Sequence, residues 1–309
     1  MGDSPWHGRT DPFDTSRWHQ IIRPSTFAIP ESNCIIGFNC DEGVRRNQGR
    51  IGAKTGPDKI RRMLSNLIYS GEKPLIDLGN IECHENQLDE AQTNLAQKVA
   101  EIIKINSLPL VLGGGHEIAW GTYQGIRRVY PKAKLGIINF DAHFDLRAIE
   151  PLPSSGTPFR QAADYAEEQE IDFDYLVYGI NPSVNTQTLF NYAESKNVQW
   201  KSDLTINNQT WQQSFEDLQT YCVPLDYLYI TVCLDVFPAS VAPGVSAPAA
   251  LGVNPNIILQ LIDSLKREFS SKIVAFEIAE MNPAFDIDDR TARLASRLIH
   301  QFTQSQLSS

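Results

Sequence analysis

The chain lacks several features that define specialised classes of protein. None of its 309 residues falls in an apolar run long enough to span a membrane, for which about 18 residues are needed. Its first residues also lack the basic and apolar regions of a secretion signal. Lys and Arg number 27 against 37 Asp and Glu, and the resulting net charge of −10 argues against nucleic acid or an anionic membrane as the main partner.

Cysteine is also scarce, and its spacing excludes two further classes. The five cysteines are widely separated and none forms a Cys-x-x-Cys pair, so neither a disulfide framework nor a zinc knuckle is indicated. A reducing cytoplasm is the simplest location for such a chain. No internal repeat, low-complexity tract or linker divides the sequence. We therefore expect one domain over residues 1–309, with the polar residues 1–32 as an arm lying over it.

Strand and helix patterns alternate along the chain. Apolar and β-branched runs predict strands over 34–38, 74–78, 108–112, 135–138, 175–180, 227–232 and 272–278. Helical spacing predicts helices over 56–69, 89–106, 186–195, 256–269 and 291–302, with two more ending near 130 and 169. The strands are too continuously apolar for a sheet with one solvated face. They predict an α/β fold with a parallel sheet covered on both sides.

The most informative stretch follows the apolar run 135–138. It places Asp141, His143 and Asp145 at every second position, so an extended backbone would point all three side chains the same way. Carboxylates and an imidazole are costly to bury together unless a cation satisfies them. They are also ligands that Mn²⁺, Fe²⁺ or Zn²⁺ accept. The alternative is a polar loop that merely caps a strand.

Further chemical groups follow the ends of other predicted strands. His116 comes after three glycines, which allow a tight turn but lack the Lys-Ser/Thr of a phosphate loop. Cys233 and Asp235 repeat the two-residue spacing, and Glu280 follows the last strand. Because the carboxyl ends of parallel strands share one edge of a sheet, these distant residues can meet there. The arginine-rich loop with Arg45 and Arg46 follows the first strand and is either a binding loop or a solvated one.

Four motifs together resemble one known family. They are Gly-Gly-Gly-His-Glu at 113–117, Asp-Ala-His-Phe-Asp at 141–145, Leu-Asp-Val with Ala-Pro-Gly in 234–244, and Glu-Met-Asn-Pro at 280–283. In this order they are similar to the ureohydrolases, the group of arginase, agmatinase and formimidoylglutamase. The resemblance implies a three-layer α/β/α fold with about eight parallel strands and a centre of two manganese ions.

The resemblance also implies which residues bind the metals. The matching positions are His116, Asp141, His143, Asp145, Cys233 and Asp235. Asp141 would bridge the two ions. Cys233 departs from the family, which generally has a bridging aspartate there, and a thiolate is softer than Mn²⁺ prefers. One ion would then be held weakly or the metal would differ; alternatively, Cys233 is a buried structural cysteine beside a weaker site.

Two positions favour the formimidoylglutamase branch of the family. Arginases and agmatinases usually carry His-Gly-x-Pro after the metal motif, whereas this chain has Ser-Gly-Thr-Pro at 155–158. Arginases place Asn where this chain has Arg147, which can grip a carboxylate with two parallel hydrogen bonds. Arg45 and Arg46 lie in a loop that also resembles this branch. The alternative for Arg147 is a salt bridge within the ligand shell.

The implied reaction is hydrolysis of N-formimidoyl-L-glutamate to L-glutamate and formamide, a step of histidine degradation, by a bridging hydroxide that the metals activate. Glu280 would hold the amidinium and Asp145 would transfer a proton. Arg160, Asn185 and Thr186 are weaker candidates for the substrate's carboxylates; a surface charge for Arg160 and a helix cap for Asn185 are the alternatives. The family also implies a small anionic substrate and a homo-oligomer.

Two other functions remain open at this stage. A relative that releases urea from a guanidino acid would also use Arg147, because such a substrate carries a carboxylate. A metal-depleted relative kept for binding or scaffolding would explain Cys233, although a decayed site would more often lose several ligands.

Overall fold

The computed structural model describes residues 4–13 and 16–304. Residues 1–3, 14 and 15 of the predicted arm, and residues 305–309 at the end of the predicted domain, lie outside the described residues. Within the described residues, nine strands form one sheet in which every neighbouring pair is parallel. They are β1 (Arg23–Pro24), β2 (Asn33–Asn39), β3 (Leu75–Glu82), β4 (Leu108–Gly113), β5 (Leu135–Phe140), β6 (Asp174–Ile180), β7 (Gln199–Ser202), β8 (Tyr227–Cys233) and β9 (Ile273–Ala279).

Helices cover both faces of this sheet. They are α1 (Trp18–Ile21), α2 (Glu42–Arg46), α3 (Gly56–Leu64), α4 (Leu88–Lys104), α5 (Ile118–Val129), α6 (Pro158–Glu168), α7 (Gln187–Ser195), α8 (Asp203–Asn208), α9 (Trp211–Cys222), α10 (Pro255–Phe269) and α11 (Arg290–Thr303). Neighbouring strand residues such as Ile137 and Ile138 belong to separate hydrophobic clusters, because successive side chains point to opposite faces. Ile138 packs in the cluster that includes α3, α10 and α11 residues.

The predicted three-layer α/β/α fold is therefore confirmed. The sheet has nine strands rather than about eight because the two residues of β1 add to its edge beside β3. In the part of the chain that the structure describes, no helix is long and apolar enough to cross a membrane.

One predicted helix needs correction. The helix predicted over 56–69 ends at Leu64, because the next residues pair with the polar arm. The amide of Trp18 donates to the carbonyl of Leu67 (3.0 Å), and the amide of Tyr69 donates to the carbonyl of Ser16 (2.8 Å). Trp18 is completely buried and packs edge-on against Tyr69. This part of the arm is thus tightly packed against α3.

The sequence patterns predict no strand or helix in the segment 199–222. It holds the short edge strand β7 and the helices α8 and α9. All four residues of β7 are exposed or half-buried, since an edge strand has only one neighbour and need not be apolar.

The order of the strands places four predicted site segments together. From edge to edge it is β1-β3-β2-β4-β9-β8-β5-β6-β7. The four strands that precede His116, Glu280, Cys233 and Asp141 are β4, β9, β8 and β5, which are consecutive at the centre of the sheet. Their carboxyl ends lie along one edge, as expected for a ligand site in a parallel sheet.

Candidate metal centre

The residues 141–147 after β5 form a turn, which corrects the prediction of an extended backbone there. The strand ends at Phe140, and Asp145 has a left-handed φ of 50°. Asn185 fixes this turn, because its Oδ1 accepts from the amide of Phe144 (3.1 Å) and its Nδ2 donates to the carbonyl of Ala142 (2.9 Å). Asp141, His143 and Asp145 therefore converge, but through a buttressed turn and not through strand alternation.

The first half of the centre is deeply buried. Nδ1 of His116 lies 2.9 Å from Oδ2 of Asp141 and 2.9 Å from Oδ2 of Asp145. The ligand atoms of His116, Asp141 and Cys233 all lie within 4.8 Å of one another. Cys233 thus occupies a ligand position, although its thiol is only 1% exposed like a core side chain. We call His116, Asp145 and Cys233, together with Asp141, the buried half.

The second half is more open. Nδ1 of His143 lies 3.1 Å from Oδ2 of Asp235 and 3.5 Å from Oδ1 of Asp141. The ligand atoms of these three residues also lie within 4.8 Å of one another. The side chain of His143 is 22% exposed, whereas that of His116 is 1% exposed. We call His143 and Asp235, together with Asp141, the open half.

Asp141 belongs to both halves, and its orientation is fixed. Its Oδ1 accepts from the amide of His143 (2.7 Å), and its Oδ2 accepts from Nδ2 of Asn139 (3.0 Å). One carboxylate oxygen therefore faces each histidine. This is the arrangement that a carboxylate shared by two ions requires.

Unsatisfied atoms test whether the site fits divalent cations. Nδ1 of His116, Oδ1 of Asp235 and Oε2 of Glu280 are buried and have no hydrogen-bond partner among the described residues. Buried polar atoms without partners are rare, so each one needs an explanation. Lone pairs of nitrogen and carboxylate oxygen converging without hydrogen bonds fit a divalent cation.

The acidities of the buried acids agree with this reading. Burial, followed by the negative charge of Asp141, raises the pKa of Asp145 to about 6. Burial and the same negative charge also raise the pKa of Asp235. The pKa of the Cys233 thiol lies well above its ordinary value because of burial and then the neighbouring carboxylates. Burying these acids together disfavours their ionised forms, and divalent cations would offset that penalty.

Glu280 lies beside the buried half, immediately after β9. Its Oε1 accepts from the amide of His116 (3.0 Å), while its Oε2 is the unpaired atom noted above. Burial, and then the negative charge of Asp235, raise the pKa of Glu280 to about 8. Its φ of 68° is left-handed, as is that of Asp145. Such a conformation costs about 1–3 kcal/mol in a non-glycine residue and is typical of functional sites.

The glycines before His116 are needed for close packing. A Cβ on Gly114 would lie 1.9 Å from the carbonyl oxygen of Cys40, at the end of the neighbouring β2. The amide of Glu280 donates to the carbonyl of Gly114 (2.8 Å) on the other side. The predicted tight turn is confirmed, and it brings His116 between β2 and β9 to the ligand cluster.

A cavity of about 660 Å³ opens beside the metal turn, within the range of about 300–1,000 Å³ typical of small-molecule sites. It is lined by loops that follow β2, β5 and β6, and the predicted residues Arg45, Arg46, Arg147 and Thr186 all line it. Arg147 is exposed, and no described residue bonds to its guanidinium, so the alternative of a salt bridge in the ligand shell is wrong. The hydroxyl of Thr186 does not cap α7.

The side chains of the two arginines of α2, Arg45 and Arg46, differ in their exposure and in their hydrogen bonds. Arg46 is largely buried and bonds to Glu42 (2.8 Å), to the carbonyl of Pro153 and to the carbonyl of Asn86, so it holds α2 against two loops. Because Arg46 also lines the cavity, its role as a substrate ligand stays a prediction. Arg45 also pairs with Glu42, at 2.6 Å through each of two nitrogens, but its side chain is 60% exposed.

Two substrate predictions need correction. Arg160 bonds to Asp164 (3.1 Å) and stacks on Tyr192 (3.9 Å from guanidinium carbon to ring centre), and it does not line the cavity in the described part of the chain. The side-chain amide of Asn185 bonds only to backbone groups, including the carbonyl of Asn181. It therefore positions the turn 141–147 and has no group left for a substrate.

Sequence reasoning missed the polar residues behind the ligands. Asn139 orients Asp141, and Oγ1 of Thr231 lies 3.2 Å from Nε2 of His116. The hydroxyl of Tyr175 accepts a hydrogen bond from Asn139 and donates one to the carbonyl of Phe144. It therefore stabilises the turn 141–147. Their signal in the sequence is a polar side chain inside an otherwise apolar strand.

Fold and site together define an α/β protein with a candidate centre for two divalent cations at the carboxyl edge of its sheet. The sequence profile of the Arginase family matches residues 31–304, and the chain belongs to this family. Formimidoylglutamase from Photobacterium profundum is 41% identical, with 96% of this chain and 93% of the relative covered. Formimidoylglutamase from Hahella chejuensis is 43% identical over 95% of this chain and 92% of the relative.

Solved structures with the same fold agree. Formimidoylglutamase from Bacillus subtilis superposes with a TM-score of 0.87 at 24% identity, covering 96% of this chain and 93% of that one. A variant of Trypanosoma cruzi formiminoglutamase with Mn²⁺ superposes with a TM-score of 0.80 at 25% identity, covering 88% and 92%. The predicted family and fold are thereby confirmed.

Proposed function

We propose that this chain hydrolyses N-formimidoyl-L-glutamate to L-glutamate and formamide. The observation that carries the proposal is the cavity beside the metal turn, where the exposed guanidinium of Arg147 lies two residues beyond Asp145. An amidine carrying carboxylates suits a site in which metal ligands and a free arginine are neighbours. The name shared by the curated relatives at 41–43% identity points to the same substrate.

The charge of the protein strengthens the role of Arg147. The substrate carries two carboxylates, and the chain has a net charge of −10, so its overall field repels such an anion. A guanidinium can offset this locally by donating two parallel hydrogen bonds to one carboxylate. Arg45 and Thr186 line the same cavity and are proposed as weaker contacts to the second carboxylate.

We assign two divalent ions, preferably Mn²⁺, to the paired halves of the centre. Asp141 would be shared between them, and His116, Asp145 and Cys233 on one side and His143 and Asp235 on the other would complete the set. When bound, the ions would acidify water and so supply a nucleophile at neutral pH.

Two acids of the chain would act on the substrate directly. The unpaired Oε2 of Glu280 would accept a hydrogen bond from the amidinium, whose positive charge would favour the ionised carboxylate. Asp145 would accept the proton released by the attacking water and deliver it to the departing nitrogen of glutamate. The main chain of both residues takes a left-handed conformation, which is typical of functional sites.

Product identification tests this function. The purified chain with Mn²⁺ is expected to release glutamate and formamide from formimidoylglutamate, and no urea from guanidinobutyrate or guanidinopropionate. Urea without formamide would identify a guanidino-acid hydrolase. Neither product, together with no bound metal, would identify a non-catalytic relative.

Three broader features are proposed with this function. We infer a role in histidine degradation and a cytoplasmic location, where the five cysteines would remain reduced. We also infer that the chain acts as one domain over 1–309 with an N-terminal arm over 1–32, and that it assembles into a homo-oligomer.

A further inference from the structure

A buried carboxylate that takes no part in the proposed reaction lies directly behind His116. Glu277 is completely buried in the middle of β9, whose other residues are apolar. Three hydroxyl groups donate to it: those of Tyr229 (2.6 Å) and Thr231 (2.9 Å) to Oε1, and that of Thr122 to Oε2. Thr231 is its direct partner in the pairing of β8 with β9.

The donors and acceptors of this network fix a hydrogen on His116. The hydroxyl of Thr231 has one hydrogen, which it gives to Glu277, so it can only accept from Nε2 of His116 at 3.2 Å. Nε2 must therefore carry a hydrogen. In the neutral ring Nδ1 is then the nitrogen with the free lone pair, and it faces Asp141 and Asp145 at 2.9 Å.

We propose that Glu277, acting through Thr231, is a positioning residue that holds His116 in its Nε2–H form and so presents Nδ1 to the ion of the buried half. The inference rests on the metal centre assigned under the proposed function. A carboxylate that orients a metal-binding histidine is a recurrent device. Here the contact passes through a threonine, and one donor-acceptor chain links the middle of β9 to the ligand atom.

The open half lacks such a relay. Nε2 of His143 has no hydrogen-bond partner among the residues that the structure describes, and this side chain is partly exposed. The relay should therefore affect one of the two ions and leave the other unchanged. A network that only braces the sheet would have no such selectivity.

Substitutions in the network separate the two explanations. Thr231→Val removes the relay with little change in volume, and Thr231→Ser keeps the hydroxyl. Thr122→Val and Tyr229→Phe are matched controls, because each removes a hydroxyl bonded to Glu277 without touching His116. Calorimetric titration of the metal-free protein with Mn²⁺ measures both ions, and thermal unfolding reports the stability of each variant.

The relay predicts that Thr231→Val weakens one of the two ions by about 10–100-fold and spares the other. Thr231→Ser keeps the hydroxyl, so its affinity for each ion should stay within about 3-fold of the wild-type affinity. Both controls should bind both ions like the wild type, even where their unfolding temperature falls. Equal weakening by Thr231→Val and Thr122→Val, or no weakening by Thr231→Val, would overturn the inference.

Glu277→Gln provides a second route if Thr231→Val does not fold. The amide of glutamine can donate to Thr231, which frees the threonine hydroxyl to donate to Nε2 and favours the wrong form of His116. This variant should weaken the same ion, and combining it with Thr231→Val should add little. Additive losses would contradict a shared relay. A wild-type protein that binds no Mn²⁺ would instead overturn the metal centre itself, and with it this inference.

Discussion

The two halves of the metal centre are built in different ways. His116 is 1% exposed, bonds to Thr231 behind it and packs edge-on against Phe159, with ring centres 5.4 Å apart. His143 is 22% exposed and lies on the turn that Asn185 braces. His116 of the buried half is thus held by the central strands, whereas His143 of the open half lies on a loop, which also carries Asp145 of the buried half.

This difference suggests a division of labour. Side chains anchored in a packed sheet keep their geometry with little freedom, while loops more often carry substrate contacts. The turn that carries His143 and Asp145 continues directly to Arg147 and the cavity. We infer that the buried half fixes one ion and that the open half connects the second ion to the substrate.

Removal of the shared ligand Asp141 should affect both halves of the centre, and this is the largest effect that we expect. Asp141→Asn takes a charge from both halves, so we expect loss of both ions and a fall in kcat/KM of at least about 1,000-fold. Metal analysis and steady-state kinetics check this. Asp164→Asn, on a partly exposed ion pair with Arg160, is the control and should change neither quantity. Retention of one tightly bound ion by Asp141→Asn would contradict a shared carboxylate.

The next largest effect concerns the connection to the substrate. Arg147→Ala should lower kcat/KM by about 10–100-fold, mainly through KM, because a charged hydrogen bond contributes about 1.5–3 kcal/mol. Bound metal should be unchanged.

Arg160→Ala is the matched control, since that guanidinium is occupied by Asp164 and Tyr192. It should stay close to the wild type. Equal losses in the two variants would show that Arg147 has no specific role.

A smaller perturbation should act through the turn that carries His143 and Asp145. Asn185→Ala removes the bonds to Ala142 and Phe144 in this turn, and we expect about 10-fold weaker binding of the ions and a loss of about 1–3 kcal/mol in stability. Asn207→Ala is a control, because Asn207 also bonds to backbone groups but lies away from the centre. Calorimetry with Mn²⁺ measures both variants; unchanged affinity in Asn185→Ala would contradict its role in positioning the turn.

The smallest expected effect is a gain in metal affinity. Cys233→Asp replaces a thiol of raised pKa by a carboxylate, which Mn²⁺ prefers, so the buried half should bind its ion several-fold more tightly, roughly 3–10-fold. Activity should be kept or raised. A large loss of affinity would show that the thiolate is specifically required.

Much of this arrangement could be predicted from sequence, because ligand types and strand patterns are local signals. Asp141, His143 and His116 follow apolar runs, and a parallel sheet must bring such strand ends together. The contacts behind the ligands could not be predicted, since the pairing of Thr231 with Glu277 depends on the order of strands that are distant in the chain. The same limit applies to Arg160, whose partners lie on α6 and α7 rather than at the cavity.

The backbone conformation of residues 141–147 could not be predicted either. The pattern of Asp141, His143 and Asp145 suggested an extended strand, but the left-handed φ of Asp145 and the support from Asn185 make it a turn. Aspartate tolerates a left-handed φ better than most residues, but glycine is the usual signal for it, so this stretch did not predict the turn. The convergence of these side chains was therefore predicted for a partly wrong geometric reason.

The central claim is that two ions share Asp141 between a buried and an open half. A crystal of the Mn²⁺-loaded protein, with anomalous diffraction recorded at the manganese absorption edge, tests it most directly. We predict two peaks, one contacting His116 and Asp145 and the other contacting His143 and Asp235, with Asp141 touching both. A single peak, or two peaks without Asp141 between them, would contradict the account.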